Sequence, residues 1–70
     1  MRDEIVEHLD RDPFVPFRII LTSDQGYDIT NPHLVALGET VMHVMQPKSN
    51  RYAILWLNQV ASLEVLETAN

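Results

Sequence analysis

Three histidines, His8, His33 and His43, are the first candidates for chemistry in this chain of 70 residues. No two stand at an i, i+2 or i, i+4 spacing. Nearby Glu7, Asp28 and Glu39 read as ordinary surface carboxylates, and an imidazole metal site needs several converging ligands. Ser23, Ser49 and Ser62 lie in or beside turns or on the last strand, far from any glycine-flanked elbow, so nothing marks a nucleophile held by a histidine and an acid. Gly26 and Gly38 are the only glycines, and neither opens a helix with lysine as a phosphate loop requires. With no cysteine, thiol catalysis, thiolate metal sites and disulfides are excluded. The residue types therefore predict a protein that is not an enzyme, with no catalytic residue, no metal and no cofactor.

A second set, Arg18, Tyr27, Arg51 and Tyr52, pairs cations with aromatic faces as single-strand RNA binders do. Charge argues against that use. Ten acidic residues against five basic give a net charge of −5. Five of the acids and two arginines fall in the first twelve residues, leaving −3 there and −2 beyond. Phosphate-driven affinity grows with the number of cations engaged, so one copy is a poor polyanion binder. Only a ring of subunits, repeating one arginine per copy, would concentrate enough positive charge.

The elements that must hold these residues follow from a change of rhythm at Pro13-Phe14-Val15-Pro16-Phe17. Before it, Ile5, Val6 and Leu9 recur at helical spacing, with Glu7, His8, Asp10 and Arg11 free to face water. This predicts a helix over 3–11, stopped because Asp12 precedes proline. After it, the chain reads as strands over 17–23, from Tyr27 to Thr30, and over 41–45, 51–57 and 60–66. Ser23-Asp24-Gln25-Gly26 forms the first hairpin turn, with Gly26 expected in the left-handed conformation. Asn31-Pro32 interrupts the second strand, either with Asn31 capping one helical turn that has Pro32 in its first position or by simply bending the strand. For 31–37, a turn followed by extended chain is expected. Pro47 holds a polar loop, and Asn58-Gln59 breaks the chain before the last strand. The whole is one domain, 1–70: mainly β (α+β), with an N-terminal helix and a five-stranded antiparallel Sm-like or SH3-like small barrel over 17–66. Closure of the barrel would remove exposed strand edges.

This order of one helix and five short strands, with Gly26 in the first hairpin, resembles the Sm-like barrel of the bacterial RNA chaperones. The family's uridine-binding loop has no counterpart near Asn31-Pro32-His33, and its lysine-histidine pair is absent at Leu57-Asn58. The Pro-Phe-x-Pro-Phe run with Arg18-Ile19, Leu21-Thr22, Gly26-Tyr27 and Pro32-His33 is similar to a group of short uncharacterised bacterial proteins. That likeness implies a free-standing domain and carries no activity with it.

The strongest signal is the run Ala53-Ile54-Leu55-Trp56-Leu57. Side chains alternate across a strand, so five consecutive apolar residues make both faces greasy. Val41 to Met45 and Ile19 to Leu21 repeat the pattern. The helix offers only Ile5, Val6 and Leu9 as cover, each worth about 1.5–3 kcal/mol when buried. Hydrophobic residues at 46% in a chain that buries only about 60% of its extended surface point to oligomerisation as the supplement. The expected oligomer interface is Met42, Val44, Leu55 and Leu57, although alternation alone does not say which set faces outward. The predicted partner is a second copy of the chain. A peptide added to an open strand edge is the other protein partner considered. Without a signal-like start or an apolar run near the roughly 20 residues of a membrane span, a cytoplasmic, soluble protein with no membrane partner is expected.

Overall fold

The computed structural model describes residues 1–66. Helix α1 (Arg2–Leu9) leads into six strands: β1 (Phe17–Leu21), β2 (Gly26–Ile29), β3 (Val35–Leu37), β4 (Val41–Gln46), β5 (Arg51–Trp56) and β6 (Val60–Val65). Single 3-10 turns at Pro32–Leu34 and Leu57–Gln59 precede β3 and β6. All pairings are antiparallel. One sheet has the order β2-β1-β6 and the other β3-β4-β5. The fold is thus mainly β with one short helix. It has six strands in two sheets where the sequence predicts five in a closed barrel.

The extra strand comes from the stretch after Asn31-Pro32. The Asn31 side chain accepts a hydrogen bond from the His33 backbone N–H at 2.9 Å, which builds the capped turn expected there. The chain leaves the turn extended and pairs Val35 with Val44 and Leu37 with Met42. The bend transfers the chain from one sheet to the other. It also separates β2 from β4, which leaves the two sheets unjoined along that seam.

Two local expectations need correcting. In the first hairpin the left-handed residue is Asp24, at φ 70°, rather than Gly26. Asp tolerates this region better than most residues, and the loop closes through Leu21 N–H to the Gln25 carbonyl at 2.9 Å. At Gly26 a Cβ would lie 3.2 Å from Cδ of Arg18, whose side chain crosses it and would have to give by a few tenths of an ångström. The helix ends at Leu9 instead of residue 11, because the Asp10 N–H closes the last turn on the Val6 carbonyl.

The core lies between the sheets. Phe17, Ile19 and Ile29 from one sheet and Met42, Val44 and Leu55 from the other are 0–5% exposed. Helix α1 closes one end. Ile5 is fully buried in the same cluster, and the His8 ring lies 4.9 Å from that of Phe17. At its start, Arg2 Nε donates to the Gly38 carbonyl at 2.9 Å, on the turn between β3 and β4. An eight-residue helix does not hold by itself; it is held by spanning both sheets. Replacing Ile5 with alanine should therefore cost about 2–5 kcal/mol, read as a drop in the urea midpoint with the slope unchanged.

Candidate interaction surface

Register decides which side chains of β3-β4-β5 face outward. Met42 pairs with Leu55 and Val44 with Ala53, and these point inward with Val35 and Leu37. The complementary set stands on the outside in three rows: Trp56 beside Val41, Ile54 beside His43 and Ala36, and Tyr52 beside Met45. Tyr52 is 71% exposed, Ile54 63%, Trp56 56% and Met45 44%, against 8% or less for the core. Helix α1 packs at the Phe17 end of the core and leaves this face uncovered.

The expected interface of Met42, Val44, Leu55 and Leu57 is therefore corrected. All four are core residues, 0–8% exposed, and Leu57 lies in the 3-10 turn rather than in a strand. The reason is chemical. The aliphatic set can be buried with no polar atom, whereas His43, Tyr52 and Trp56 carry ring N–H or O–H groups that burial would leave without partners. That asymmetry between the two alternating sets was present in the sequence and was the missed signal. The residues that form the apolar outer face are Tyr52, Ile54, Trp56 and Met45.

This face is also free of negative charge. β3, β4 and β5 contain no aspartate or glutamate, although the chain carries ten acidic residues. Aromatic side chains present about 150–250 Å² each, so Tyr52 and Trp56 at these exposures leave roughly 200–300 Å² open. Ile54 and Met45 extend the patch to several hundred Å², the size that on a monomer commonly marks a binding surface.

The four residues grouped as a possible RNA contact do not form one site. Arg18 and Tyr27 line an open cleft of about 610 Å³ between β2 and the β4–β5 turn, together with Asp28, Leu34, Gln46 and Lys48. Arg51 and Tyr52 line a smaller depression beyond Met45. Arg18 is already engaged. Its Nε donates to Asp28 Oδ1 at 2.6 Å, Nη2 donates to Oδ2 at 3.3 Å, and Nη1 lies 3.9 Å from Glu64. Among the described residues no three His, Asp or Glu side chains gather as a metal site would require. The buried Nδ1 of His8 has no hydrogen-bond partner. Among the described residues no helix is long and apolar enough to cross a membrane.

Comparison with protein-family models, with curated proteins and with solved structures found no match.

The Arg18 hydrogen bond, with a smaller contribution from its charge, holds the Asp28 carboxyl below the usual carboxylate range and raises Arg18 above its own. A depressed folded-state value makes the pair's small contribution present above the unfolded carboxylate pKa. It is lost as pH falls through the lower folded value. NMR titration should find Asp28 ionising below the usual carboxylate range, and Arg18→Gln should move it back up.

Proposed function

We propose that this protein is a non-enzymatic, self-assembling interaction module that docks through β5 and the apolar side chains on its outer face, with a second copy of the chain as its occupant. The observation that carries the reading is the exposure of Tyr52, Ile54 and Trp56 on one carboxylate-free face of an acidic protein. Two acidic chains meeting elsewhere would bring like charges together; meeting here, they keep their carboxylates apart. Tyr and Trp are also the residue types that dominate interface energetics. The cysteine-free chain suits a reducing compartment, and the cytoplasm is the proposed setting.

The finer fold reading belongs to the same proposal. Pairing of the first strand with the last and the 3-10 turn before β6 support an SH3-like or Sm-like small barrel opened along the β2–β4 seam. RNA binding by an assembled ring remains the weaker reading, because Arg18 spends its charge on Asp28 and Glu64. A peptide partner joining a strand edge is the other occupant that an interaction module of this kind would accept.

Sedimentation velocity over a concentration series tests the proposal. The native chain should pass from monomer to a larger species. Trp56→Ser and Ile54→Asp should each weaken association by about tenfold or more, 1.4 kcal/mol being one factor of ten. Their thermal midpoints should stay close to that of the native chain, since both residues are exposed. A strict monomer at every concentration contradicts the proposal.

A further inference from the structure

We propose that two copies join by antiparallel pairing of β5 with β5 about a two-fold axis at Ile54, merging two three-stranded sheets into one of six strands. The inference rests on the self-assembly reading and adds its geometry.

Backbone alternation supplies the first part of the argument. The Leu57 N–H donates to the Thr40 carbonyl at 2.9 Å. In an antiparallel ladder, residues with both groups turned to the neighbour alternate with residues turned away. Continuing the β4–β5 register from that bond turns the backbone groups of Ala53 and Leu55 toward β4. The N–H and C=O groups of Tyr52, Ile54 and Trp56 then point to the open margin of the sheet, where β5 has no neighbour among the described residues. The residues that present backbone partners are thus the residues with the most exposed large apolar side chains.

The other three sheet margins carry the features that discourage pairing. β3 has three residues. β2 has four, bears Asp28 and runs into Pro32, which lacks an N–H. β6 bears Glu64, a charge within the strand. β5 has six residues and no charge after Arg51. It is the one long edge among the described strands without protection.

A two-fold axis at Ile54 makes that edge self-complementary, as a symmetric dimer requires. Ile54 faces Ile54 of the second copy, and each Tyr52 faces a Trp56. Three residue pairs exchanging both bonds give roughly six interchain hydrogen bonds. The aromatic pairs flank the central isoleucines on the outer face and pack against each other across the joint. Arg51 stands opposite Leu57, so the two arginines lie roughly 20 Å apart along the strands and are screened from one another at physiological salt.

Amide hydrogen exchange of the native chain tests this directly. The Tyr52, Ile54 and Trp56 amides should be protected at high protein concentration and should lose protection on dilution. Those of Ala53 and Leu55, bonded within the chain, should be protected at both. Cross-linking tests the register in a chain with no competing thiol. Ile54→Cys should oxidise to a disulfide dimer, since facing hydrogen-bonded residues have Cα atoms about 5.5 Å apart, within disulfide reach. Tyr52→Cys alone and Trp56→Cys alone should not link, their counterparts being about 13 Å away along the strand, whereas a mixture of the two should. Association in sedimentation with unprotected Tyr52, Ile54 and Trp56 amides overturns the edge pairing and leaves self-assembly standing. Ready self-linking of Tyr52→Cys overturns the register. A strict monomer with those amides unprotected at every concentration defeats both.

Discussion

A chain of this size has one interior, and each of its strands has two faces. That constraint governs the rest of the structure. Phe17, Ile19, Ile29, Met42, Val44 and Leu55 fill the space between two three-stranded sheets, and Ile5 closes it from the helix. Once these are placed, no element among the described residues covers the second face of β4 and β5. On the other sheet the outward positions beside Arg18 hold Asp28 and Glu64, and there water is adequate cover. On β5 they hold Tyr52, Ile54 and Trp56. The proposed assembly rests on this difference between the two outer faces.

The same division explains why the edges are unequal. Shortness, charge and proline mark β2, β3 and β6 in different combinations, and each device discourages another strand from joining. β5 bears its only charge at its first residue, so its edge and its outer face are open together. A surface that combines exposed backbone partners with exposed aromatic side chains is costly to keep in isolation, because such segments pair readily with whatever strand they meet. The proposed self-pairing would supply the backbone groups with partners and set the aromatic side chains of the two copies against each other.

Much of the fold was legible in the sequence because its signals are local. The proline-flanked Phe14-Val15 entry, the alternation of Phe17, Ile19 and Leu21, and the Asn31-Pro32 cap depend on residues within a few positions of each other. The count of strands and the barrel closure were not legible, since they depend on whether residues 35–37 pair with β4 and whether β2 reaches it. The left-handed position of the first hairpin is Asp24 rather than Gly26, since aspartate also tolerates that region. The uncovered apolar face was legible as a surplus, but its side was not. Met42, Val44, Leu55 and Leu57 are as apolar as the outward set. Only the polar atoms of His43, Tyr52 and Trp56 distinguish the two, and these favour the outside.

The central claim is that a second copy of the chain pairs along β5, so that on its outer face Tyr52 of that copy packs against Trp56. Trp56 is the single tryptophan and stands on that face, so its accessibility to acrylamide reports that packing without any substitution. Quenching should fall, and the emission move to shorter wavelength, as protein concentration rises through the association range. Quenching that stays high and constant across that range would contradict the account.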